Sequence, residues 1–328
     1  MIGTWRQAHR VAQLAAVHAQ QELHVQRDGY VDVFAAIRCA DVALMFRDMP
    51  GHFGTYISPA TNGPGILINS GLSMPTIRHT AGHELGHHQL GHGDSVDQEL
   101  DPWESQTPGA WTGPEMSAEA FAAWFLMPRP AVLRGLQLLG TDRPQSAQHA
   151  YRLATLLGAS YRGACRHLVN LGLASTSAAT AWAKAGRGRV RTSLAGPYAH
   201  VTDGEVHVLD PAMQEVTVHV SAGDLLVTTP TVCAELTAVG HAVVGLERVQ
   251  LDDPVEEQLD LLDEPRVACW RVTGEFTAPV QLGSADTIPA ADGWSVLIEP
   301  VSVRNGIDLT WLERHQQRDH NTQEERAR

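Results

Sequence analysis

Ile77-Arg78-His79-Thr80-Ala81-Gly82-His83-Glu84-Leu85-Gly86-His87-His88-Gln89-Leu90-Gly91-His92 is the stretch on which the reading of this chain turns. It contains H-E-x-x-H, with His83 and His87 four residues apart and Glu84 beside the first. Residues at i and i+4 stack on one helix face, so two imidazoles can converge on a single metal ion. Glu84 falls next to that pair, displaced toward the open coordination side, where a carboxylate can take a proton from water and pass it to a leaving amine. Gly86, between the two histidines, leaves the ligand face uncrowded.

A zinc hydrolase needs three protein ligands and a fourth position for water, so one donor must come from elsewhere. The metzincin continuation x-x-G-x-x-H fails, because Leu90 and Gly93 occupy its Gly and His positions. His88 points about 100° away from His87 around the helix. His92 lies nearby, but Glu115 is the better third donor. It opens a second apolar helix, from Pro114 through Met127, and Glu119 follows one turn later on the same face, where it can hydrogen-bond a ligand imidazole from behind. His79, four residues before His83, either contacts the site or serves as a surface or packing residue, the second reading being favoured.

Working outward, the 328 residues exceed ordinary single-domain size and predict two or three domains. The 43% hydrophobic and 19% charged content is that of a globular protein, and the net charge of −13 argues against a surface that coats nucleic acid broadly. The N-terminal residues lack a secretory apolar core and no run is long enough to cross a bilayer, so a cytoplasmic protein with no membrane partner is expected. Cys39, Cys165, Cys233 and Cys269 are scattered without C-x-x-C spacing and read as reduced, buried residues.

Before the central stretch, apolar positions from Trp5 to Val25 recur at helical spacing behind Thr4, and Asp32 caps a second helix over Val33 to Ala40. Val42 to Phe46, Phe53 to Ser58 and Gly65 to Asn69 read as strands. The last of these is either an edge on which an extended peptide adds or a central core strand. Pro75 lies in the first turn of the H-E-x-x-H helix. The segment from His92 to Gly113 is acidic and reads as a solvated surface loop, with a mobile rim of the cleft as the alternative.

Residues 143–175 have the order of a helix-turn-helix unit: a helix, a turn near Gly158, a Ser-capped helix and a closing Leu171-Gly172-Leu173. Arg162, Arg166 and His167 either meet DNA phosphate there or belong to a helical unit used only for packing. Ala181 to Arg191 reads as a basic linker. Beyond it, Glu205 to Leu209, Glu215 to Val220, Leu225 to Thr228, Val267 to Val272, Trp294 to Ile298 and Ile307 to Trp311 alternate with period two and predict a β-rich C-terminal domain.

Residues 1 to about 175 resemble the ImmA/IrrE family of bacterial zinc metallopeptidases. The resemblance rests on Gly65-Ile66-Leu67-Ile68-Asn69, on the stretch from Ile77 to His92, and on E-x-x-A-E-x-F-A-A-W-F-L-M-P from Glu115 to Pro128. It implies His83 and His87 as metal ligands, Glu84 as the catalytic carboxylate and Glu115, thirteen residues before Pro128, as the third ligand. Where Glu119 stands the family usually has Asn or Asp. The implied cofactor is zinc, with manganese as the alternative metal. The implied activity is cleavage of a helix-turn-helix transcriptional repressor, which derepresses stress-response or mobile-element genes. The alternative is a DNA-binding regulator acting through residues 143–175, with a structural or vestigial metal site.

The expected fold class is α+β: a zincin-like metallopeptidase domain over residues 1–140, a helix-turn-helix-like helical domain and linker over 141–189, a β-rich C-terminal domain for sensing or recognition over 190–315, and a flexible tail over 316–328.

Overall fold

Thr4 starts the first helix, α1 (Trp5–Glu22), by accepting a hydrogen bond from the Gln7 amide at 3.3 Å. Its buried stripe is made of small residues, Ala8, Ala12, Ala16 and Ala19, whereas Val11, expected on that stripe, is 41% exposed. Alanine allows close approach of a neighbouring helix, and Gln20 on the same face donates to the carbonyls of Trp124 and Phe125 at 3.2 and 2.9 Å. Those carbonyls belong to the last turn of a later helix, where no intrahelical donor remains for them. The computed structural model describes residues 4–61, 63–97, 111–210, 213, 215–240, 243–250, 268–282, 295–303 and 305–307.

Asp32 caps α2 (Val33–Cys39) as expected, accepting from the amides of Phe34 and Ala35, both at 3.0 Å. Strands β1 (Ala43–Arg47), β2 (Gly54–Ile57) and β3 (Gly65–Asn69) follow, then α3 (Met74–Gln89), β4 (Ser95–Asp97) and α4 (Gly113–Leu126). Pro75 lies in the first turn of α3, where its missing N–H removes a donor that has no helical partner. The expected acidic loop lies mostly outside the described residues.

α5 (Arg129–Leu138), α6 (Ala147–Leu157), α7 (Tyr161–Asn170), α8 (Thr176–Ala185) and α9 (Arg187–Ala195) come next, followed by a 3-10 turn at Gly196–His200. The rest is β5 (Val206–Leu209), β6 (Val216–Val220), β7 (Leu225–Thr228), α10 (Pro230–Gly240), β8 (Leu246–Arg248), β9 (Ala268–Val272), β10 (Val280–Leu282), β11 (Val296–Pro300) and β12 (Gly306–Ile307). The chain is therefore mixed α and β. It divides into two units, Met1–Arg129 with Val303–Arg328, and Pro130–Ser302.

The first unit holds a five-stranded sheet in the order β12-β1-β3-β2-β4. β3 is interior, parallel to β1 and antiparallel to β2, so it offers no edge to a peptide. Of the two expectations for Gly65 to Asn69, the core strand holds, because Ile66 and Ile68 are buried and both backbone edges are paired. The outermost strands among the described residues are β4 and β12. β12 was expected in the C-terminal domain but pairs antiparallel with β1, Met45 opposite Ile307. The remainder of that expected strand, and the tail over 316–328, lie outside the described residues.

In the second unit, β10-β11-β6 and β5-β7-β9-β8 form two sheets. The expected boundary at residue 189/190 does not separate two cores here. Leu156 of α6 packs in one cluster with Leu209, Val218, Leu226 and Trp270, and the Tyr151 hydroxyl accepts from the Val206 amide at 2.9 Å. Helices and strands thus share one apolar interior. α6 and α7 meet at left-handed Gly158, and Ser160 caps α7 by accepting from the Gly163 amide at 3.1 Å. Of the two readings of His167, phosphate contact or packing, its 1% exposure fits packing. Of the cysteines, Cys165 and Cys269 are buried, Cys233 is half-buried and Cys39 is exposed at the end of α2.

Candidate metal centre

Two glycines on α3 decide how close α4 comes. A Cβ on Gly82 would meet Ala122 and Leu126 at 3.3–3.4 Å, and one on Gly86 would meet the Phe121 ring at 3.0 Å and the Ala118 backbone at 3.2 Å. Gly86 therefore faces α4 rather than opening the ligand face as expected. The helices pack backbone to small side chain, and this near approach brings the first turn of α4 to the histidines of α3. Thr112 caps α4, accepting from the Glu115 amide at 3.4 Å, and the positive helix N-terminus favours a carboxylate at that position.

The result is a triangle of donor atoms. Nε2 of His83 and Nε2 of His87 are 3.0 Å apart, and Oε2 of Glu115 is 3.2 Å from the first and 3.4 Å from the second. Zinc–ligand bonds of about 2.0–2.1 Å in a tetrahedron require donor separations of about 3.3–3.4 Å. His83, His87 and Glu115 are also the one group among the described residues with metal-holding geometry. Burial works to raise the Glu115 carboxyl, but its contacts with His83 and His87 outweigh it and hold the group well below the ordinary carboxylate range.

The outer ring nitrogens support the fit. Nδ1 of His87 lies 3.1 Å from Nδ1 of His92, and Nδ1 of His83 lies 3.6 Å from Oε2 of Glu119. Protons on those outer positions leave both Nε2 lone pairs facing each other and a carboxylate oxygen. Three acceptors this close repel unless a proton or a cation lies among them. Glu119 in turn contacts Nε2 of His79 at 2.7 Å, so His79 is tied to the site rather than to surface or packing duty alone. His88 turns away, with Nδ1 3.1 Å from the Tyr56 hydroxyl, as its angular position on the helix required. Burial, followed by the neighbouring His87, pushes the His92 imidazole down to about 4.

Glu84 is wholly buried, between α3 and the sheet. The Ser95 hydroxyl on β4 donates to its Oε2 at 3.2 Å, and a Cβ on Gly54 of β2 would come within 2.7 Å of Oε1 and 2.5 Å of Thr80 Cγ2. Neither Gly54 nor Ser95 was legible as part of the site, since nothing local in the sequence ties either to Glu84. Gly54→Ala is expected to destabilise the fold by about 1–3 kcal/mol and to shift the Glu84 carboxylate. Thr80 and Glu84 are both fully buried and have no free space to yield. A denaturation midpoint equal to that of the wild type would show that the close approach of β2 is not required.

A buried helix carrying H-E-x-x-H on a mixed sheet, with a carboxylate delivered by the next buried helix, defines a metallopeptidase-like α+β domain. Residues 37–168 match the family model of the IrrE N-terminal-like domain, Peptidase_M78, so that segment is similar to the metallopeptidase domain of that family. The matched segment runs from the end of α2 into α7 and contains every residue of the donor triangle. No curated protein matches the chain. Among the described residues no helix is long and apolar enough to cross a membrane.

Proposed function

We propose that this chain is a zinc-dependent endopeptidase that cleaves a helix-turn-helix transcriptional repressor, relieving repression. The observation that carries the hydrolytic reading is the donor triangle of His83, His87 and Glu115, with Glu84 adjoining His83 on the same helix and its side chain buried. Two imidazoles and one carboxylate are a donor set that suits zinc better than manganese. The repressor as substrate rests on the family resemblance alone.

His83, His87 and Glu115 would hold the ion, which when bound supplies a Lewis acid for the scissile carbonyl and for water. Glu84 takes a proton from the attacking water and delivers it to the departing amide nitrogen, so the peptide leaves as a neutral amine. Ser95 restrains that carboxylate through Oε2, and the Gly54 backbone bounds the Oε1 side, which limits its rotamers. Glu119, with Oε2 3.6 Å from Nδ1 of His83, favours a proton on that outer nitrogen by its charge. β4 is outermost in its sheet among the described residues and carries Ser95, so an extended substrate segment pairs there rather than on β3.

The test is incubation of the full chain with the helix-turn-helix repressor encoded nearest its own gene, with zinc or manganese, followed by mass spectrometry of the products. A discrete pair of fragments, abolished by a chelator, is expected. An intact repressor beside salt-sensitive, sequence-selective DNA binding by this chain would instead favour the regulator reading through residues 143–175.

A further inference from the structure

We propose that His92 is a positioning residue for His87, holding its ring in the tautomer and orientation that ligation requires; this rests on the metal-site reading above. The helix stop creates the contact. α3 ends at Gln89, the Leu90 amide bonds back to the Gly86 carbonyl, and Gly91 takes φ +67°. In that left-handed conformation the chain doubles back, and the His92 amide reaches the His87 carbonyl at 3.0 Å.

The reversal sets the two rings edge to face, with centroids 5.0 Å apart at 71°. It also places Nδ1 of His92 3.1 Å from Nδ1 of His87, on the side of that ring away from His83 and Glu115. For Nε2 of His87 to offer a lone pair, Nδ1 must carry the proton, and a ring only 1% exposed cannot leave that N–H without an acceptor. His92 supplies it.

The two imidazole ligands are therefore backed differently. Behind His83 stands the carboxylate of Glu119, and behind His87 stands a second imidazole. An imidazole acceptor fixes orientation as a carboxylate does, while adding no negative charge to the site. His92 thus serves the metal without ligating it. L-G-H directly after the helix carries this arrangement: Leu90 closes the helix, Gly91 turns the chain and His92 returns to the second ligand.

The test uses the full chain with His92→Phe, which keeps an aromatic ring but offers no acceptor, His92→Gln, which restores an acceptor, and Glu115→Ala. Zinc affinity is measured by chelator competition, cobalt(II) substitution is followed by visible absorption, and folding of each apoprotein is followed by circular dichroism. His92→Phe is expected to weaken zinc binding about 10–100-fold and to alter the cobalt spectrum, with His92→Gln returning to within about threefold of wild type. Wild-type affinity and an unchanged cobalt spectrum in His92→Phe would overturn the assignment. So would a His92→Gln protein as weak as His92→Phe, because the loss would then be one of packing. Retention of zinc by Glu115→Ala would instead overturn the metal-site reading on which the assignment stands.

Discussion

Glu84→Gln is expected to slow the proposed peptide-bond cleavage by about 10²–10⁴-fold, the range of a lost general base, with zinc content unchanged from wild type. Glutamine has the volume of the native residue and still presents an oxygen to the Ser95 hydroxyl, so the buried pocket between α3 and β4 is kept. It cannot accept the proton that must leave water as the new bond forms. Single-turnover cleavage of the repressor, with elemental analysis of the same preparation, separates the two quantities. Cleavage at the wild-type rate with zinc in place would remove Glu84 from the mechanism.

Glu115→Ala is expected to have the second large effect, and on the proposed metal site it falls on zinc binding. Losing one of three protein donors exceeds the 10–100-fold penalty expected for a residue that only supports a ligand, and hydrolysis falls in parallel. The fold should survive, because the Glu115 side chain is 27% exposed and Thr112 still accepts from the residue 115 amide. Chelator competition and circular dichroism on one sample check both statements. A protein that binds zinc as tightly as wild type would show that the triangle has another third donor.

His83, Glu84 and His87 were legible because their relation is local. A single helix fixes what i, i+1 and i+4 present, whatever surrounds it. Glu115 was legible for a different reason: it opens an otherwise apolar helix with Glu119 one turn further on the same face, and it begins the motif running to Pro128 that carries the family resemblance. Gly86 was misread, since a glycine beside two ligands says nothing about which neighbour needs the space, and the close approach of Ala118 and Phe121 supplies the answer. Of the two readings of His79, surface or packing was favoured over a contact with the site because its partner Glu119 is forty positions away in sequence. The C-terminal boundaries shifted for the same kind of reason, as Leu156 and Tyr151 tie α6 to strands more than fifty residues later.

The sequence by itself determined the α+β class, the helix that carries two imidazoles and a carboxylate, and the acid that could join them, because periodicity, capping and charge act over one or two helical turns. The tertiary structure alone decided that β3 is interior, that β12 joins the first sheet, that Gly54 and Ser95 enclose Glu84, and that His92 backs His87. Each of these depends on a strand pairing, a glycine-enabled close approach or a chain reversal that brings separate segments together. Such contacts are set by which apolar surfaces bury one another, and no local pattern along the chain records that choice.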